Sequence, residues 1–369
     1  MKKSKVYFTN LRTRSGDNLL DKLERLVKTA GIETIDFQDK YVAIKIHFGE
    51  PGNLAYLRPN YSKRLVDIIK RNGGKAFLGD CNTLYVGRRK NALDHLEAAY
   101  ENGYNPFTTG CPIIIADGIK GLSEQLVPIN AKHVKEAKIG TAFMEADIII
   151  SLNHFKGHGA TGFGGALKNV GMGCGSRAGK MEMHSSGIPF IKEDLCVSCD
   201  ACFKSCAHDA IFYNQNHKAE INSDLCVGCG RCIGSCNVNA VKFSWDEANE
   251  ILNEKIAEYS LAVLQNRPHF HINLVIDVSP DCDCHGHNDL AIVGNIGMFA
   301  SFDPVALDVA CADAVNSAPV VIGSSLETIK NCHDDHFTNH HPETNWKAAI
   351  RHAEVLGLGV SQYELEEVK

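Results

Sequence analysis

No apolar run in this 369-residue sequence approaches the ~20 residues needed to cross a bilayer, which excludes an ordinary transmembrane helix. Positive charge is also short. Lysine and arginine number 38 against 44 aspartates and glutamates, a net charge of −6. That balance excludes a generally basic partner of nucleic acid or of a membrane surface. The start, Met1-Lys2-Lys3-Ser4-Lys5, leads into a strand-like run with no apolar leader core and no small-residue cleavage site. The expectation is therefore a cytoplasmic protein without a secretory signal. Disorder is excluded too, because 44% of the residues are hydrophobic and 22% are charged, ample for a buried core. The length suits two domains, or one large domain carrying an insert.

Cysteine, by contrast, is abundant: there are 15. In a reducing compartment this favours metal ligation over disulfides. Eight fall in two runs, Cys196, Cys199, Cys202, Cys206 and then Cys226, Cys229, Cys232, Cys236. Each run reads C-x-x-C-x-x-C-x-x-x-C, and Asp194-Leu195-Cys196-Val197 returns as Asp224-Leu225-Cys226-Val227. Such self-similarity marks two copies of one unit. A thiolate at every third position wraps three corners of an iron–sulfur cube, and in the two-cluster arrangement the fourth thiolate comes from the other run. Cys196, Cys199, Cys202 and Cys236 are thus expected to hold one 4Fe–4S cluster, and Cys226, Cys229, Cys232 and Cys206 the other. Zinc sites use paired C-x-x-C knuckles instead of four thiolates at this spacing. The segment resembles bacterial two-cluster ferredoxins. It departs from them where Ala207 and Asn237 replace the proline that usually follows the last cysteine. That proline shapes the loop and donates nothing to iron.

Elsewhere, short apolar runs alternate with helical periods. Val42–Phe48, Lys75–Gly79, Ile113–Ala116, Asp147–Leu152, Ile272–Val278 and a stretch near Ala291–Met298 read as strands. Leu19, Leu23, Leu26 and Ala30 recur at helical spacing, as do Leu65, Ile68 and Ile69, Leu93, Leu96 and Tyr100, and Ile251, Ile256, Tyr259 and Val263. Asp303 and Pro304 read as the N-cap and first turn of a further helix. The expected fold is α/β, a mostly parallel sheet with helices on both faces. A small ferredoxin-like α+β insert at residues 188–244 would interrupt one discontinuous domain of residues 1–187 and 245–369. Ligands bind beyond the carboxyl ends of parallel strands. There the sequence puts His47 with Glu50, Asp80 with Cys81, Asp117, the run Asn153 to His158, and Cys282-Asp283-Cys284-His285.

The stretch from Lys156 to Lys180, KGHGATGFGGALKNVGMGCGSRAGK, is rich in glycine. Free backbone N–H groups, a helix opening near Gly165, and Lys156, Lys168, Arg177 and Lys180 together suit a phosphate or carboxylate. Gly162, Gly164, Gly165 and Asn169 are the expected cofactor contacts. Gly157, Gly159 and Gly162 satisfy G-x-G-x-x-G, but polar residues separate them from the strand and no acidic strand end follows, so nicotinamide is disfavoured. The alternative is a glycine-rich turn packed on the insert. His154, His158 and His184 are candidates for acid–base chemistry or ligation; a lone loop histidine is more often a hydrogen-bonded structural residue, and the company of Lys156 lifts these above that background. Cys282 and Cys284, with His285, His287 and Asp289 behind them, would suit zinc, nickel or a further cluster, with Cys81 and Cys174 on loops aimed at the same edge. Buried cysteines acting as small apolar residues are the alternative. The tract Cys332-His333-Asp334-Asp335-His336 with His340 and His341 reads as a solvated loop, and Cys311 as core.

SLNHFKGHGATGFGGALKNVGMGC, with GDCNTLY, KIHFGE, SPDCDC and FDPVALD, resembles the iron–sulfur-centre proteins that carry domain of unknown function 362. The resemblance spans nearly the whole chain. It implies an α/β domain with an inserted two-cluster ferredoxin, common in anaerobic bacteria and archaea, and it hands over no reaction. The positions it singles out are His154, Lys156, His158, Gly164, Gly165, Lys168, Asn169, Cys174, Cys282, Cys284, Asp303 and Asp308. The expected function is an iron–sulfur oxidoreductase that passes single electrons through two 4Fe–4S clusters to an anionic substrate or second redox centre. A ferredoxin-type carrier or cluster-handling protein, and a metal-dependent lyase or isomerase, are the alternatives. A third metal or cluster stays open, and a flavin is open without a motif to indicate it. Expected partners are an electron-donor or acceptor protein and an anionic small molecule, with no nucleic acid and no membrane; nothing specifies an oligomeric state.

Overall fold

The computed structural model describes residues 3–85, 87–185, 187–226, 228, 230–329 and 334–369. Its central sheet has eight strands: β1 (Ser4–Asn10), β2 (Tyr41–Lys45), β3 (Lys75–Asp80), β4 (Ile113–Ile115), β5 (Ile148–His154), β6 (His269–Val275), β7 (Gly297–Ser301) and β8 (Tyr363–Glu367). Their spatial order is β8-β1-β7-β6-β5-β2-β3-β4. Every neighbouring pair is parallel except those that β7 makes with β1 and β6. The α/β architecture read from the alternation is therefore the one observed.

Alternate residues of the inner strands face opposite sides. Val42, Ile44, Ile148 and Ile150 pack under helices α1 (Leu19–Thr29), α2 (Pro59–Arg71) and α3 (Ala92–Glu101). Ala43 and Ile149 pack under α4 (Ala166–Cys174), α5 (Arg177–His184) and α6 (Asn249–Leu264). A third apolar cluster joins β1, β6 and β7 to α7 (Pro304–Asn316) and α8 (Trp346–Val355). Asp303 caps α7, accepting from the N–H groups of Val305 and Ala306, with Pro304 in the first turn, as the sequence suggested. It also accepts from Ser4 and Val360, so its role is structural.

The late strand differs from expectation. It covers Gly297–Ser301, starts six residues further on than the apolar run suggested, and runs antiparallel. Gly294 and Asn295 lie in an irregular link before the strand, where the Asn295 side chain accepts from the Asp277 N–H. The glycine-rich stretch also holds a hairpin, Lys156–His158 paired with Gly162–Gly164, before α4 begins.

Between α5 and α6, Phe190–Ile191 pairs with Val241–Lys242, and Ile211–Tyr213 with Ala219–Ile221. Two one-turn helices, Ala201–Ser205 and Arg231–Ser235, open on left-handed residues, Asp200 and Gly230, and end on Cys206 and Cys236. This segment docks through an Arg231–Glu124 ion pair of 3.2 Å, and through Met181, which the Gly230 backbone approaches too closely for a Cβ. Among the described residues no helix is long and apolar enough to cross a membrane.

Candidate functional site

Beyond the carboxyl ends of β2, β3, β5 and β6 lies a cavity of about 820 Å³ of atom-free space, mouth included. Five cationic side chains line it, Lys45, Arg89, Lys156, Lys168 and Lys180, against the single carboxylate of Asp80. Lys45 and Asp80 pair at 3.0 Å. Arg89 pairs with Glu50 at 2.8 Å and donates to His47 Nε2 at 2.7 Å. Lys156 pairs with Asp283 at 2.9 Å. These three cations are thus neutralised from behind. Among the described residues no carboxylate pairs with Lys168 or Lys180; Lys168 approaches Cys282 Sγ at 3.5 Å and Lys180 donates to the Gly175 carbonyl at 2.5 Å. A buried surplus of two positive charges is the electrostatic signature of a site for an anion.

Burial alone would push the Asp283 pKa up, but His47, Lys156 and the His154 hydrogen bond outweigh it and hold the carboxyl well below the usual range. Burial lowers the pKa of His184 to about 3, and Lys168, Lys180 and Lys255 add to the effect. Burial, Lys168 and Lys156 likewise hold His158 well below the ordinary histidine value. Both rings are neutral near pH 7. The neighbouring Cys282 brings Cys284 down to about 6, against burial and helped by Lys168 and Arg89. Cys282, beside the Cys284 sulfur and buried, is raised.

The sequence candidates separate accordingly. Lys156, His158, Gly164, Gly165, Lys168, Asn169, His154 and Cys284 all line the cavity. His154 uses its Nε2 on the Ile276 carbonyl at 2.8 Å and turns Nδ1 toward Asp283 at 3.3 Å, so it positions Asp283. Asn169 accepts from Lys45 at 2.7 Å and donates to Asn153 at 2.7 Å, fixing the lysine. Gly162 stands apart, at the turn of the hairpin against Trp346. Cys174 does not join Cys282 and Cys284. It is buried in the apolar layer under α6, where burial raises its thiol to about 12, and its carbonyl accepts from Cys81. Arg177 is buried away from the cavity wall, and Asp117 and Glu50 lie behind it. The start of α4 is likewise spent: Asp308 accepts from the N–H groups of Ala166 and Leu167 at 2.7 and 3.0 Å, and a Cβ on Gly165 would collide with that carboxylate. The helix end therefore does not serve the cavity as the sequence suggested.

Lys45, Tyr85, Arg89 and Trp245 were not read from the sequence. A lysine closing an otherwise apolar strand run was the available signal for Lys45; Arg89 is disguised by the basic triplet Arg88-Arg89-Lys90.

Among the described residues, two groups of side chains have metal-ligand spacing. His158, Cys282 and Cys284 bring their ligand atoms within 4.8 Å of one another, as do Asp281, His340 and His341. Two members of the second group, His340 and His341, belong to the tract expected to be solvated, and all three are half-buried; Cys332 and His333 lie outside the described residues.

The paired cysteine runs line two smaller cavities of about 340 Å³ each. One is walled by Cys196, Cys199, Cys202 and Cys236. The other is walled by Cys206, Cys226 and Cys232. Cys229 lies outside the described residues. Leu84 belongs both to the wall of the large cavity and to the apolar cluster that holds Cys196, Cys202, Cys232 and Cys236. Trp245 and His184, 4.5 Å apart between ring centres, also line the large cavity, and Trp245 packs at a tilt against Phe243, 4.6 Å between ring centres.

A family profile described as Domain of unknown function (DUF362) matches residues 42–313. No curated protein matches the sequence. Among solved structures, the lactate racemase apoprotein from Thermoanaerobacterium thermosaccharolyticum is similar at 12% identity and a TM-score of 0.40, covering 73% of this chain and 51% of that one. A protein from Thermotoga maritima is similar at 13% identity and a TM-score of 0.42, covering 81% and 58%. The chain thus spans between 51% and 58% of the length of these structures.

Proposed function

The chain belongs to the DUF362 family, and on that premise we propose that it is an iron–sulfur oxidoreductase delivering single electrons to an anionic substrate in the strand-end cavity. In this reading residues 188–244 are a two-cluster ferredoxin insert within a discontinuous α/β domain of residues 1–187 and 245–369. Cys196, Cys199, Cys202 and Cys236 would hold one 4Fe–4S cluster, and Cys206, Cys226, Cys229 and Cys232 the other. When bound, such clusters supply electrons one at a time.

The observation that carries the reading is the sorting of sulfurs across the two runs. Cys236 joins the cavity of the first run, and Cys206 that of the second. Nothing in a structural cysteine core requires that exchange, whereas the shared-ligand arrangement does. The apolar bridge through Leu84 supports a short path from the first quartet to the large cavity.

The rest of the work falls to this chain's side chains. Lys168 and Lys180, which pair with no carboxylate among the described residues, take the substrate anion. Lys45, Arg89 and Lys156 are already held by Asp80, Glu50 and Asp283, so the positive field is in place before the substrate arrives. His184 is neutral when the cavity is empty, and an anion beside it raises its affinity for the proton that accompanies reduction. An electron-donor protein completes the scheme. The test is an oxygen-free preparation followed by iron and sulfide analysis and by EPR during reductive titration with small carboxylates and phosphates. Cluster signals that one of these anions bleaches support the reading; a preparation free of iron overturns it.

A further inference from the structure

Two sulfurs at the cavity take no part in the scheme above. Cys282 and Cys284 sit on the loop between β6 and β7 with their sulfurs within 4.8 Å of each other, and the Cys282 thiol donates to Asp283 Oδ1 at 3.5 Å. Cys282 is 1% exposed, while Cys284 is half-buried and lines the cavity. The Lys168 ammonium stands 3.5 Å from Cys282 Sγ. One sulfur is therefore accessible to a bound substrate, and the other waits behind it within reach.

The group these sulfurs form with His158 would also suit a metal ion by distance alone. Hydrogen bonding at His158 points elsewhere. Its Nδ1 accepts from the N–H groups of Ala160 and Thr161, both at 3.1 Å, so the neutral ring carries its proton on Nε2. A ligating imidazole does the reverse, donating from the nitrogen that does not bind the metal. With Nδ1 committed to the turn, Nε2 is the nitrogen left to meet the sulfurs, and there it is a donor suited to a thiolate.

We propose that Cys282 and Cys284 are a redox-active dithiol/disulfide pair that reduces an organic disulfide bearing carboxylate or phosphate groups; this rests on the oxidoreductase reading for its source of electrons. The Cys284 thiolate attacks one sulfur of the substrate disulfide, whose S–S bond breaks, and the departing thiolate takes a proton from solvent. Cys282 gives up its proton and attacks the Cys284 sulfur of the mixed disulfide. The Cys282–Cys284 bond forms, and the second substrate thiolate leaves with that proton. Two electrons, one from each reduced cluster, and one proton from solvent then restore the Cys282 thiol and the Cys284 thiolate. In sum, two electrons and two protons convert one disulfide into two thiols. Lys168 and Lys180 hold the anionic groups of the substrate.

The test uses the whole chain, reconstituted with iron and sulfide without oxygen, and glutathione disulfide as the probe. After exposure, acid quench, alkylation and digestion, the peptide spanning Cys282 and Cys284 is expected to be unalkylated at both positions and lighter by two hydrogens. Cys282→Ser should retain glutathione as a mixed disulfide on Cys284, while Cys284→Ser should retain none; a packing role for the two cysteines gives neither signature. Full alkylation of both cysteines after exposure, or stoichiometric zinc or nickel that Cys282→Ser loses, overturns the proposal. Trapping is read by mass and needs no iron signal. Trapping in a chain that takes up no iron therefore sinks the oxidoreductase reading and leaves the thiol chemistry standing. Clusters that reduce normally in a chain that never traps sink the thiol chemistry alone.

Discussion

Replacing Asp283 with asparagine removes the charge on which one wall of the cavity is built. The carboxylate is fully buried and lies 2.9 Å from Lys156, 3.3 Å from His154 and 3.4 Å from His47. Asparagine keeps the shape and one acceptor but leaves Lys156 a buried cation without a counter-ion. Removing one partner of a buried pair costs about 3–5 kcal/mol, and the retained shape puts Asp283→Asn at the lower end, about 3 kcal/mol. At roughly 2 °C per kcal/mol for a chain of this size, the melting temperature falls by about 6 °C. The pH dependence follows from the direction of the shift. Asp283 is held well below the usual carboxylate range when folded, so its contribution is present above the unfolded value of about 3.9 and is lost as pH falls toward the folded one. Urea denaturation of both proteins should show the gap widest near neutrality and closing in acid. A difference under about 0.5 kcal/mol at pH 7, smaller than a buried pair can cost, or a gap that ignores pH, would refute the reasoning.

Three further outcomes are expected. Burial raises the Asp117 carboxyl to about 6 against the pull of Lys180 and the Asn82 N–H; its stability contribution is therefore full below about 3.9 and lost as pH rises toward 6, so Asp117→Asn should gain ~2–3 kcal/mol relative to wild type between pH 4 and 7 in urea melts. Lys168→Ala should weaken calorimetric binding of inorganic phosphate about tenfold or more, the scale of a lost hydrogen bond from a charged donor, and leave iron content unchanged; loss of iron instead would mean the site is misplaced. Arg177 is buried, with Nε and Nη2 lacking hydrogen-bond partners among the described residues and its charge felt by Cys236; Arg177→Met should lower one cluster's potential by ~50 mV in an EPR-monitored titration, since a nearby cation favours the reduced, more negative cluster, and an unmoved potential contradicts its placement.

The inner strands were legible because they are buried on both faces, so Val42 to Ile44 and Ile148 to Ile150 read as apolar runs without alternation. Strand direction leaves no such mark. The antiparallel β7 and the pairing of β1 with β8 depend on contacts between residues far apart in sequence, which no local pattern encodes. The ring of polar strand ends announced the cavity, yet its charge balance did not show, because Arg89 and Lys45 are defined by which carboxylate lies behind them. The glycines misled for a similar reason. Gly157 and Gly165 admit the Pro280 backbone and the Asp308 carboxylate, so part of the run is packing between neighbouring segments, while Gly164 and Gly165 also line the cavity.

The most direct test of the central claim is the metal content and spectrum of the whole chain prepared without oxygen, with Cys206→Ser and Cys236→Ser alongside. The account predicts about eight irons and eight sulfides per chain, and a different cluster signal disturbed by each substitution, Cys236 acting on the first run and Cys206 on the second. Zinc in place of iron, or two substitutions that disturb only the run in which each cysteine lies, would contradict it.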